Sequence, residues 1–252
     1  MSNALLATKK LVYPVIDSLL GILIASIVIF LWLSSLVVLF CIDVSQIPLF
    51  WIVSAVLVRT FLHTGLFITA HEAMHGTVFP LNRQVNNFVG SVATWMYVFL
   101  PYQTLLTKHK LHHGYPATAK DPDFYEPGQN NPFIWYGMFM KRYLDGKQIW
   151  VTIIGVAIVF YLLRWGLNIP MSNILLFWGV PIIISSVQLF YFGIFLPHRR
   201  PQDGYTNRHC AKSNYYSVFW SFIACYHFGY HWEHHEYPHL PWYKLPSVVK
   251  LK

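Results

Sequence analysis

Long apolar runs alternate along the chain with shorter polar stretches, and the runs outlast any ordinary strand. No Asp, Glu, Lys, Arg or His falls between Ser18 and Ile42, and none between Trp165 and Pro197. About 20 consecutive apolar residues suffice for a helix to cross a bilayer. The pattern therefore predicts four membrane-spanning helices, near Asp17–Phe40, Pro48–Ala70, Gln148–Leu163 and Ile174–Leu196. Two more apolar stretches, Phe88–Leu106 and Tyr215–Tyr230, complicate the count. Pro101 interrupts the first of them near its end, because proline lacks the amide a helix interior needs.

Composition strengthens this reading. The 252 residues are 55% hydrophobic and 18% aromatic, and only 11% are charged, against about 25% in soluble domains. The net charge of +8 raises the question of nucleic acid, but the basic residues flank apolar segments and form no stripe, so no nucleic-acid partner is expected. Sixteen of the eighteen Lys and Arg lie in the N-terminus, the segment His71–Lys147 and the tail after Leu196. Positive residues concentrate on the cytoplasmic side, which puts both termini and the long middle segment in the cytoplasm. Lys9 and Lys10 precede an apolar run too long for a signal-peptide core, so it reads as a retained helix. Cys41, Cys210 and Cys225 are scattered and suggest neither a disulfide framework nor a thiolate metal site.

Thirteen histidines remain to be explained. His71 and His75 form an HxxxH where the second span leaves the membrane; residues four apart share a helix face. His109, His112 and His113 form an HxxHH, and His231, His234 and His235 repeat it. HxxxH alone is as well explained by two satisfied helix histidines. Two HxxHH motifs beside it, all on one side of the membrane, are not a chance pattern. Neighbouring residues on a helix point about 100° apart, so an adjacent pair can serve two metals. Eight imidazoles exceed the needs of one four-coordinate zinc, and imidazole suits iron, copper, zinc and nickel alike. His198, at the end of the fourth span, is a candidate ninth ligand. Glu72, Glu233 and His227 are candidates for supporting the ligand rings through hydrogen bonds. Arg59 and His63, within the second span, read as interhelical hydrogen-bonding groups; His209 and His239 receive no role. If Phe88–Leu106 or Tyr215–Tyr230 crossed the membrane, the clusters would face opposite compartments, so both are assigned as interfacial or re-entrant helices. The expected fold is an all-α integral membrane protein forming one domain, 1–252, with a histidine-rich site at its cytoplasmic face.

Longer strings narrow the reading. His-Glu-Ala-Met-His-Gly (71–76), Leu-His-His-Gly (111–114), Phe-Leu-Pro-His-Arg (195–199) and Cys-Tyr-His-Phe-Gly-Tyr-His-Trp-Glu-His-His-Glu-Tyr-Pro (225–238) resemble the bacterial and cyanobacterial β-carotene 4-ketolases of the membrane fatty-acid desaturase and hydroxylase superfamily. Glu72 departs from that pattern, where Asp is more frequent. The resemblance implies a di-iron (Fe2+) enzyme that uses O2 and two reducing equivalents per turn, drawn from ferredoxin. It implies two hydroxylations at ring carbon C4 of a carotenoid taken from the bilayer lipid, giving echinenone and then canthaxanthin. The alternatives are a carotenoid ring hydroxylase or a fatty-acyl desaturase of the same superfamily, since histidine spacing does not separate them. A histidine-rich membrane metal carrier fits less well, because transporters place ligands near the bilayer midplane.

Overall fold

The computed structural model describes residues 15–124 and 130–249. Lys9 and Lys10 lie outside the described residues. Among the described residues the regular elements are all helical. The helices are α1 (Val15–Phe40), α2 (Leu49–His75), α3 (Arg83–Val98), α4 (Tyr102–Gly114), α5 (Pro132–Tyr143), α6 (Lys147–Gly166), α7 (Met171–His198), α8 (Val218–Cys225) and α9 (His231–Glu236). Four of them, α1, α2, α6 and α7, are long and apolar enough to cross a membrane.

The predicted spans match these four helices, but α2 and α7 run past the end of their apolar stretch. Each carries its histidines on that extension: His71 and His75 on α2, His198 on α7. Gly76 stops α2 in the left-handed conformation at φ 80°, where a side chain would be strained. Phe88–Leu106 divides into the end of α3 and the start of α4, with Pro101 at the N-cap of α4. Tyr215–Tyr230 contains only the eight-residue α8, about 12 Å long at 1.5 Å per residue and too short to cross.

Packing follows residue size. The buried positions of α1 are Ser18, Gly21, Ala25, Val28, Trp32 and Phe40, of which the first five repeat every three or four residues as a single helical stripe. A methyl on Gly21 would sit 2.5 Å from the Val78 carbonyl oxygen, so the loop after α2 lies directly on α1. From Arg59 to Met74, α2 is buried almost all round; it is the central helix. α7 contains two π-helical turns, Leu175–Gly179 and Tyr191–Phe195. Arg59 Nε donates to the Phe177 carbonyl in the first of these (3.0 Å), and Nη1 donates to the Trp32 carbonyl and Ser35 Oγ (2.6 and 2.8 Å). His63 Nδ1 accepts from Trp32 Nε1 at 3.0 Å. Both residues therefore bond between helices, Arg59 to α1 and α7 and His63 to α1.

All the histidine motifs lie at one end of the bundle. Lys244 pairs with Asp17 at 2.7 Å, joining the C-terminal tail to the start of α1 at that end. At the opposite end, Asn173 Nδ2 donates to the Leu39 and Ile42 carbonyls, both at 2.8 Å, and joins the start of α7 to the end of α1.

Candidate metal centre

Two histidine groups converge where α2, α4, α7 and α9 meet. In the first, ligand atoms of His71, His75, His109 and His234 lie within 4.8 Å of one another. His113 adjoins them, its Nε2 3.1 Å from that of His234. In the second, His112, His198, His231 and His235 converge equally closely. The rings of His113 and His235 stack at 4.1 Å between the groups. Each HxxHH is thus divided: its first and last members join one group and its middle member the other. This is the divergence of neighbouring helical positions realised on α4 and α9.

Ring contacts show which nitrogens face inward. The Nε2 atoms of His75 and His109 are 2.6 Å apart, of His198 and His231 2.9 Å, and of His231 and His235 3.1 Å. His198 Nδ1 lies 2.9 Å from the Cys210 carbonyl, which can only accept, so the proton is on Nδ1 and the Nε2 lone pair points inward. His112 repeats this arrangement, with Nδ1 3.0 Å from Asp121 Oδ1 and Nε2 3.1 Å from that of His235. His71 Nε2 is buried without a partner. Burial, then the neighbouring imidazoles, holds the pKa values of His109, His113, His231, His234 and His235 well below the ordinary histidine value. Crowded, neutral, inward-facing imidazoles fit a pair of first-row metal ions.

The supports differ in part from those expected. Glu72 reaches His71 Nδ1 at 3.4 Å and accepts from Thr77 Oγ1 (2.7 Å) and the Trp242 amide (3.3 Å). Glu233 instead accepts from Ser213 Oγ. His227 turns away to stack on Tyr230 at 5.5 Å, its Nδ1 without a partner. The placement of His227 follows from a sharp turn before α9: Tyr226 and His227 have φ of 47° and 61°, which breaks the helical register that would have aligned His227 with His231.

Sequence reading passed over Asp121 and Asp123. Asp121 accepts from His112 and from the amides of Ala117 and Asp123 (3.0 and 2.9 Å). Asp123 lies 3.6 Å from His112 Nδ1 and accepts from Tyr143 Oη at 2.5 Å. Burial raises the Asp123 carboxyl to about 6 against the pull of His112. Both aspartates are buried. Two of only ten acidic residues, in Lys-Asp-Pro-Asp (120–123) just after a histidine motif, were the available signal.

A cavity of about 320 Å³ opens from this centre. His71, His109, His112 and His231 line its inner end, and Phe67, Tyr97, Leu105, Phe139 and Leu189 its walls. Thr152 of α6 and Ile182, Ile183 and Ser186 of α7 line its other end. Ile183 is 64% exposed and belongs to a stretch of α7 apolar enough to lie in a membrane.

A buried double-histidine centre at the end of four apolar helices defines a class of membrane-bound metalloenzyme, and comparison with known proteins specifies it. The sequence profile of the family described as Fatty acid desaturase matches residues 45–149 and 133–251. The chain is 36% identical over 200 residues to the Beta-carotene ketolase of Paracoccus sp. (strain PC1), covering 76% of each chain. It is 38% identical over 209 residues to the Beta-carotene ketolase of Haematococcus lacustris, covering 79% of this chain and 62% of that one. Against the Zeaxanthin 4-ketolase of Chlamydomonas reinhardtii it is 35% identical over 76% of this chain, spanning 42% of that longer protein. No solved structure matches the chain. The chain belongs to the fatty acid desaturase family, alongside its β-carotene ketolases.

Proposed function

We propose that the chain is a di-iron β-carotene 4-ketolase. The observation that carries this reading is the cavity: a largely apolar space lined both by members of the two histidine groups and by residues of the apolar helices α6 and α7. His71, His75, His109, His113 and His234 would hold one iron, and His112, His198, His231 and His235 the other. Bound there, two ferrous ions would supply O2 activation and oxygen insertion into an allylic C–H bond. The protein's part is orientation and exclusion of water. Asp121 fixes the His112 ring by taking its Nδ1 proton in a hydrogen bond, and the Cys210 carbonyl does the same for His198. The lining is mostly apolar and aromatic, with Thr152 and Ser186 among its few hydroxyl groups, and suits a rigid hydrocarbon rod.

Each insertion consumes one O2, two electrons and two protons and releases one water. Two insertions at C4 give a geminal diol, which loses water to become the ketone. Echinenone is the product of one ring and canthaxanthin of both. The electrons come one at a time from a soluble donor, ferredoxin, at the cytoplasmic face. The basic residues outside the spans put both termini and the histidine end on that face.

Pigment analysis of β-carotene-producing bacterial cells expressing the chain tests the reading. Echinenone or canthaxanthin is the expected result. Hydroxylated carotenoid without ketone would move the enzyme to the ring hydroxylases. Unchanged β-carotene, with iron-loaded protein in the membrane and ferredoxin supplied, would exclude a carotenoid oxygenase and leave the acyl desaturases.

A further inference from the structure

One aromatic ring lines the cavity directly beside members of both histidine groups. Phe228 lines the cavity, and its ring lies edge-on to His71 at 4.7 Å and 83°, and to His231 at 5.5 Å and 81°. His234 is 6.0 Å away. The ring thus touches a member of each group and is only 7% exposed.

Two features fix it there. Gly193, which also lines the cavity, packs against it from the π-helical turn Tyr191–Phe195 of α7. A methyl at that glycine would lie 2.4 Å from Phe228 Cε1, so the backbone of α7 bears directly on the ring. From the chain side, the ring is presented by two successive non-glycine residues in the left-handed region, Tyr226 and His227. That turn is closed by the Phe228 amide donating to the Cys225 carbonyl at 2.7 Å, and the His227 amide to the Ser221 carbonyl at 3.0 Å. Backbone strain of this kind persists where the surroundings over-determine it, and it gathers at functional sites. An ordinary core phenylalanine needs neither the strain nor the glycine.

Substrate geometry gives this ring a task. In a β-ring the carbon joined to the polyene lies opposite C3, so a ring entering end-on leads with C3. C4 is one bond further back, on the flank. Oxidation at C4 therefore needs a stop at the tip that keeps C3 short of the metals and turns the flank toward them.

We propose that Phe228, backed by Gly193, is the positioning residue that stops the substrate ring and selects C4 over C3. The proposal rests on the carotenoid reading above. It assigns regiochemistry to packing at the cavity end, separately from the metal ligands. Shortening Phe228 removes that stop, so the ring can enter tip-first and bring C3 within reach of the metals.

The experiment compares wild type, Phe228→Leu, Gly193→Ala and the double variant in β-carotene-producing cells, measuring iron per protein and the full set of oxidised carotenoids. Phe228→Leu should retain iron and raise the ratio of 3-hydroxy to 4-oxo rings about tenfold or more, since misplacement on the ångström scale changes reactivity by such factors. Gly193→Ala should slow ketone formation without adding 3-hydroxy product, because the methyl drives Phe228 toward the histidines. The double variant should recover turnover, since leucine leaves room for that methyl. An unchanged product ratio in Phe228→Leu would overturn the proposal. So would loss of iron in that variant, which would make Phe228 a support of the metal site, or iron retained with no oxidised product. A wild type that forms no ketone would instead sink the carotenoid reading itself.

Discussion

His112 is committed on both sides of its ring. Nε2 faces His235 at 3.1 Å, while Nδ1 faces Asp121 at 3.0 Å and Asp123 at 3.6 Å. A carboxylate on the outer nitrogen fixes the tautomer and makes the inner nitrogen a better donor. Burial lowers the His112 pKa, but the Asp123 and Asp121 carboxylates outweigh it and raise the pKa overall. Replacing Asp121 with Asn keeps the shape but removes the charge. Iron retained per protein, measured after dialysis against graded chelator, should then correspond to a ten- to hundredfold weaker site, about the usual effect of losing such a partner. His112→Ala should abolish turnover while the protein still inserts in the membrane, as immunoblots of membrane fractions would show. The histidine was legible from its motif. Its aspartate was not, because the link crosses nine residues of irregular chain whose folding no periodicity announces.

Among the elements, α1 and α2 show how small residues set the spacing. Ser18, Gly21 and Ala25 let α1 approach the loop that follows α2, and the loop's carbonyls leave no space at Gly21. That loop carries Thr77, whose hydroxyl donates to Glu72 beside His71. Gly21→Val should therefore cost about 1–3 kcal/mol, the usual range for overpacking, and lower the melting temperature of the detergent-solubilised protein. Leu23→Val, at a position 54% exposed, should leave it unchanged; equal effects of both substitutions would contradict the packing argument. The periodicity of the sequence located α1 and α2. It did not reveal which stripe of α1 faces inward, because all faces of a membrane helix are apolar and only the small residues mark the contact.

At the scale of the molecule, the up-and-down course of α1, α2, α6 and α7 brings three separate histidine motifs and His198 to one end. The short connections at Cys41–Ile47 and Leu167–Pro170 leave the other end without a cluster among the described residues. The proposed orientation, read from charge placement, puts the histidine end in the cytoplasm. Cysteine labelling in a background lacking the three native cysteines tests this. Ser45→Cys, exposed in the Cys41–Ile47 connection, should react with an impermeant maleimide added outside intact cells. Lys212→Cys, exposed near the histidine end, should react only in inverted vesicles. The reverse pattern would invert the orientation and put the donor on the wrong side.

By itself the sequence determined the four apolar helices, the three motifs and the capacity of adjacent histidines to face two different centres. Those features depend on local period and length, which the chain expresses directly: a run long enough to cross and imidazoles spaced to share or split a helix face. Tertiary structure alone decided the rest. It brought Asp121 to His112, sent Glu233 to Ser213 and His227 to Tyr230, and placed Phe228 over Gly193 at the end of the cavity. These contacts join residues on different elements or across irregular turns. Their geometry depends on how whole helices pack, and side-chain identity along a single segment carries no record of what will lie opposite.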